Sequence, residues 1–152
     1  LPKGAEYGPH DIVAFKDYEE GMAYAKKVGK PVFLDFTGKA CVNCRKMEEK
    51  VWSETKILQL LRNDVVLISL YVDYRKPLPK SEQYISEVTG KKVKTVGNKW
   101  SDFQMEKYQT NAQPYYVILD NNGNDLSSPT AYTPDANEYY EWLVNGIEKY
   151  NK

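Results

Sequence analysis

Apolar positions along the chain switch between two periods. Ile12-Val13-Ala14-Phe15 is a short run of β type, after which Tyr18, Met22, Ala25 and Val28 recur at helical spacing behind Asp17, a residue suited to cap a helix. Gly29 and Pro31 end that helix. Val32-Phe33-Leu34-Asp35-Phe36 is near-continuously apolar, the pattern of a central strand covered on both faces, with Asp35 as its odd member. Thr37 to Ala40 turns out of the strand. From Cys41 to about Trp52 the helix formers Arg45, Lys46, Met47, Glu48 and Glu49 take over, so the cysteines sit where a helix starts. Ser53 is placed to cap a further helix through about Arg62, with Ile57, Leu58 and Leu61 as its buried stripe, and Val65 to Val72 follows as a second strongly apolar strand.

The pattern weakens between Tyr74 and Lys99, where Pro77, Pro79, Gly90 and Gly97 stand among many lysines, and this stretch reads as an insertion with one short helix near Glu82 to Val88. Helical character returns from Trp100 to Tyr108. Gln113-Pro114 then leads into the strand Tyr115 to Leu119, an Asn122-Gly123 hairpin turn and an edge strand containing Pro129. Thr133 and Pro134 supply an N-cap and first residue for a last helix that carries Ala136, Tyr140, Leu143, Ile147 and Tyr150 on one side. Helices alternating with apolar strands, closed by a hairpin and a helix, predict an α/β fold with a mixed sheet flanked on both faces.

Length and charge narrow the picture. The 152 residues fit one domain, spanning 1–152, with a substantial core of its own. Lys plus Arg equals Asp plus Glu at 21 each, so no large net field steers the chain toward nucleic acid or anionic lipid, and protein partners are expected. The longest apolar stretch, Val65 to Val72, is far too short to cross a bilayer. The chain begins at Leu1 rather than Met, as a processed chain or an excised domain would.

Only two cysteines are present, Cys41 and Cys44, and a bridge between them closes almost no loop. Its effect on chain entropy is small, so a structural role explains the pair poorly and chemistry explains it better. At a helix start, the dipole and free backbone N–H groups stabilise a thiolate on Cys41, the attacking species in thiol–disulfide exchange. Cys44 lies one turn on, placed to resolve the mixed disulfide. The alternatives are half of a zinc site, which lacks its further ligands because only His10 adds a strong candidate, and a redox-inert pair kept for packing. No metal or other cofactor is expected. His10 reads as a solvated terminal residue.

Asp35 inside an apolar strand suggests proton transfer, the alternative being a strand-end carboxylate facing water. Glu48 shares a helix face with Cys44 and Cys41, the alternative being a solvated helix glutamate. If both carboxylates lie near the cysteines, they oppose the dipole. A carboxylate about 6 Å away at an effective dielectric near 20 costs a thiolate roughly 2–3 kcal/mol, more than the dipole's ~0.3–1 kcal/mol.

The segment Phe33-Leu34-Asp35-Phe36-Thr37-Gly38-Lys39-Ala40-Cys41-Val42-Asn43-Cys44-Arg45-Lys46-Met47-Glu48 resembles the active-site segment of the thioredoxin superfamily. More narrowly it resembles the C-terminal periplasmic domains of the DsbD thiol:disulfide interchange family. It differs from thioredoxin proper in having Ala40 before the first cysteine and Val42-Asn43 between the two. The resemblance implies a thioredoxin-like fold and a protein-disulfide reductase. It also implies that Asp35 and Glu48 adjust the cysteine pair, and that Pro114 belongs to a cis-proline loop beside the disulfide. Gln113, Pro114, Val42 and Asn43 are thereby the candidate substrate-contacting residues. The implied partners are a membrane-embedded electron donor and a periplasmic thiol acceptor, and the implied location is the periplasm, as a domain of an inner-membrane protein. A free-standing reductase and a redox-silent peptide-binding module are the other readings.

Overall fold

The computed structural model describes residues 1–152. Its main sheet holds β1 (Ala5–Tyr7), β2 (Val13–Phe15), β3 (Val32–Thr37), β4 (Val66–Tyr71) and β7 (Tyr115–Leu119), in the order β1-β2-β4-β3-β7. A separate two-stranded ribbon is formed by β5 (Tyr84–Ile85) and β6 (Lys92–Val93). The helices are α1 (Tyr18–Val28), α2 (Val42–Lys50), α3 (Thr55–Asn63), α4 (Val96–Tyr108) and α5 (Ala136–Tyr150). β3 pairs in parallel with β4 and antiparallel with β7, so the strand expected to be central is central, and all six of its residues are buried. The fold is the expected α/β arrangement with a mixed sheet.

Alternate residues of these strands feed two cores. Phe33, Leu67 and Ile118 face α2, α3 and α5, where Met47, Trp52, Ile57, Leu61, Tyr139 and Leu143 complete one cluster. Leu34, Ile68 and Val117 face the other way, with Ala25 of α1 and Trp100 of α4. Burying a side chain of this size contributes roughly 1.5–3 kcal/mol, which makes the two clusters the main source of stability.

Several element boundaries differ from expectation, each for a local reason. Asp17 does cap α1, accepting the Glu20 N–H, and Gly29 ends it at φ 70°. Of its four helically spaced apolar positions Ala25 is buried, Tyr18 and Met22 are half-buried and Val28 is exposed. α3 begins at Thr55, not behind Ser53, whose hydroxyl instead donates to the Glu49 carbonyl at the end of α2. The helix expected near residues 82–88 is absent. There the Ser86 hydroxyl accepts the Val88 and Thr89 N–H groups, a local bond that competes with helix formation, and donates to Asp102, which also accepts from Tyr84. The chain forms the β5–β6 ribbon instead.

α4 starts four residues before Trp100 because Thr95 and Asn98 form a reciprocal capping box. The last helix is capped by Asp135, which accepts from Asn137 and Glu138, while the Thr133 hydroxyl donates to Ala131. Tyr139, not Tyr140, is its fully buried tyrosine. The turn at Asn122-Gly123 is present, with Gly123 at φ 84°. The returning chain makes only isolated bridges to β7, at Leu119↔Asp125 and Tyr116↔Thr130, with residues 127–129 bulged between the Leu126 and Thr130 hydrogen bonds.

Candidate active site

The cysteines lie where β3 hands over to α2. The turn is closed by Cys41 N–H on the Gly38 carbonyl, and the Asp73 carboxylate accepts the Lys39 and Ala40 N–H groups at 2.9 and 3.1 Å. Cys41 is the N-cap of α2 and its sulfur accepts the Cys44 N–H at 3.2 Å. The two residues form a disulfide with their Cα atoms 5.3 Å apart. Their environments differ: Cys41 is half-buried, whereas Cys44 is 1% exposed. Val42 and Asn43 stand outermost on the motif, with Val42 66% exposed.

Asp35 lies in the middle of β3 on the face covered by α2, paired across the sheet with Ser69 and Tyr116. It does not face water. The Ser69 hydroxyl donates to its Oδ2 at 3.1 Å, and burial, reinforced by the negative charge of Glu48, pushes its carboxyl up to about 8. Asp35 therefore holds a proton at neutral pH in the disulfide form. Glu48 is buried as well, rather than a solvated helix glutamate, and its pKa is raised by desolvation against the opposing pull of Arg45.

Arg45, one of the helix formers after Cys41, also has a role in the site. Its guanidinium donates to Glu48 Oε2 at 2.8 Å, to the Thr37 hydroxyl at 3.1 Å and to the Lys39 carbonyl at 3.2 Å, tying strand end, turn and helix together. The spacing of Arg45 and Glu48, three residues apart on a helix, was a readable signal for that pair. Asp73 and Ser69 gave no such signal, since each meets the site from about 34 residues away. His10 is exposed, as expected of a solvated residue, yet its Nε2 lies 2.6 Å from the Glu48 carbonyl oxygen and docks the N-terminal segment on α2.

Pro114 is buried and follows a cis Gln113–Pro114 peptide. It precedes the Phe36↔Tyr115 pair, which puts it at the end of the sheet from which residues 37–41 leave β3. The Gln113 amide donates to Gln104 Oε1, and Gln104 in turn donates to the Ala112 carbonyl, so that side chain is engaged with α4.

This geometry can be set beside known proteins. The thioredoxin-like domain family profile matches residues 18–147. The chain belongs to the thioredoxin-like family. Similar solved structures include a DsbH oxidoreductase, 16% identical with a TM-score of 0.61, covering 97% of this chain and 90% of that one. A thioredoxin from Thermus thermophilus is 20% identical at a TM-score of 0.58, covering 84% and 81%. The C-terminal domain of DsbD from Neisseria meningitidis in its reduced form is 18% identical at 0.57, covering 84% and 92%. No curated protein matches significantly by sequence. At these identities the likeness is one of fold. The thioredoxin-like chain thus carries a thiol:disulfide oxidoreductase fold with its Cys41–Cys44 pair closed, and none of its helices is long and apolar enough to cross a membrane.

Proposed function

We propose that this domain is a reductive electron relay that exchanges disulfides between protein partners, with Cys41 as nucleophile, Cys44 as resolving thiol and no cofactor beyond that pair. The observation that carries the reading is the asymmetry of the two sulfurs at the start of α2, the helix whose Arg45 and Glu48 interact with the buried Asp35. Cys41 is accessible and faces the Cys44 N–H, which favours its thiolate, while Cys44 is enclosed.

In the forward direction the Cys41 thiolate attacks a partner disulfide, forming a mixed disulfide and releasing one partner thiolate. Cys44 then attacks the Cys41 sulfur, releasing the second, so two electrons pass to the partner and the pair is left oxidised. The proton leaving Cys44 passes to ionised Asp35, whose protonated form in the disulfide state is the product of that step. Run backwards, Asp35 returns the proton as a donor dithiol reduces the pair. Glu48, ion-paired to Arg45, adjusts the charge that Asp35 experiences. Pro114, with the main chain of Gln113, and the exposed Val42 and Asn43 would meet the partner's chain.

The likeness to the DsbD C-terminal domain supports a periplasmic location, tethered to the inner membrane, with a membrane-embedded donor and a periplasmic thiol acceptor. Cysteine variants test the roles directly. Cys41→Ser is expected to abolish exchange with a model disulfide, and Cys44→Ser to accumulate a mixed disulfide through Cys41, read by intact-mass spectrometry. Trapping through Cys44 in the Cys41→Ser variant would reverse the assignment. Failure of the reduced parent to act on any disulfide would leave only a peptide-holding module.

A further inference from the structure

The chain between β4 and α4 runs past the dithiol and is fastened on both sides. Asp73 holds the Lys39 and Ala40 N–H groups, while the Tyr74 and Lys76 carbonyls accept the Gly97 and Val96 N–H groups, each at 2.9 Å. Gly97 makes the second fastening possible, because a Cβ there would fall 2.6–2.7 Å from backbone atoms of Val72 and Tyr74. Residues 73–76 are all exposed, yet their backbone is fixed.

Three adjoining hollows follow this segment. The first is bordered by Lys39, Ala40, Arg75 and Lys76, directly before Cys41. The second shares Lys39 and Tyr74 with it and opens onto Tyr71 and Trp100. The third continues past Trp100 to Lys99.

Charge along the strip is unbalanced although the chain as a whole is neutral, with 21 residues of each sign. Lys16 is ion-paired to Glu6, but Lys39, Arg75, Lys76 and Lys99 have no carboxylate partner. Asp73 is occupied by two backbone N–H groups, and Asp17 and Glu82 border only the third hollow. The positive excess is therefore greatest beside Ala40. Aromatic rings stand among the cations: the Lys39 ammonium lies 5.7 Å from the centre of the Tyr71 ring, and that of Lys99 lies 4.8 Å from the Trp100 ring.

We propose that this strip docks an acidic segment flanking the reacting disulfide of the protein partner, and so selects among partners; the inference rests on the exchange reaction proposed above. A chain joined to Cys41 and leaving across Ala40 meets Lys39, Arg75 and Lys76 first. Rim charges of this kind raise the encounter rate of a complementary partner and lose that effect in salt.

Two peptides carrying the same disulfide, one flanked by glutamates and the other by lysines, provide the test, with neutral bis(2-hydroxyethyl) disulfide as reference. At low ionic strength the acidic peptide is expected to react about tenfold faster, the difference closing near ~0.5 M salt where the screening length falls to a few ångströms. The double variant Arg75→Glu with Lys76→Glu is expected to invert the preference and leave the rate on the neutral disulfide unchanged. Equal rates for the two peptides, or a preference that survives the double variant, would overturn the docking strip while leaving the exchange reaction intact. No reaction with the neutral disulfide would instead remove the exchange reading, and this inference with it.

Discussion

The two faces of the β3–β4–β7 sheet are built from alternate residues of the same strands, yet they differ in kind. On the α1 and α4 side the paired rows Val32–Val66–Leu119, Leu34–Ile68–Val117 and Phe36–Leu70–Tyr115 are apolar from end to end. On the α2 and α5 side the rows begin the same way with Phe33, Leu67 and Ile118, then turn polar at Asp35 and Ser69 and at Thr37. The strand rows of the first face contribute packing and no polar chemistry. The other face grades from core into chemistry along a strand, reaching polar groups as it nears the cysteines. A buried carboxyl is thereby held under the helix that carries the cysteine pair, at a cost in stability that the apolar face offsets.

That contrast can be broken first on the apolar side. Leu34→Ala should cost about 2–5 kcal/mol in urea unfolding, the usual toll of a buried leucine truncation, by the same amount at every pH. A loss that varied with pH would mean that the two faces are electrostatically coupled.

The polar side should behave in the opposite sense. Because the Asp35 carboxyl is pushed up to about 8 in the fold, native protein keeps this proton long after the unfolded chain, near 3.8, has released it. Its contribution to stability is intact below that lower value and declines as pH rises toward 8. Asp35→Asn keeps an acceptor for Ser69 and escapes the decline, so it should stabilise the oxidised protein by about 2–4 kcal/mol at pH 8–9 and little at pH 4. Parallel unfolding curves for parent and variant across that range would show that Asp35 is not protonated in the fold.

A smaller effect is expected on the thiol itself. With Asp35→Asn and Glu48→Gln combined, the apparent pKa of Cys41 in the reduced protein, followed by alkylation rate, should fall by about one unit, equivalent to ~1.4 kcal/mol. An unchanged pH curve would return both carboxylates to structural roles. Smallest of all, Asp73→Asn leaves only one oxygen for two N–H groups. It should lower protection of the Lys39 and Ala40 amides in hydrogen exchange, at a cost of about 1 kcal/mol. Unaltered protection would show that the turn holds itself.

What the sequence conveyed was what neighbouring residues decide among themselves. The apolar run Val32 to Phe36, the glycine after α1 and the helix formers after Cys41 place the motif at a strand–helix junction without any tertiary information. Competition between local signals was harder to judge: Ser53 and Thr133 are good capping residues in isolation, but Glu54 and Asp135 stand where the chain actually turns into a helix. Ser86 shows a side chain overriding a helical pattern through bonds to its own backbone and to Asp102. The candidate site was legible as two cysteines and two carboxylates. Asp73, Ser69 and the docking of His10 depend on contacts that only the folded topology creates.

The interrupted pairing beyond β7 has a consequence for how the protein behaves in a crowd. One margin of the sheet ends in the three-residue β1, and the other is overlaid by a return segment that bulges at residues 127–129 and contains Pro129. Neither margin presents a long, flat row of free N–H and C=O groups, the template on which edge-to-edge aggregation grows. The folded domain can keep its reactive sulfur open to passing chains without also offering them a strand to extend.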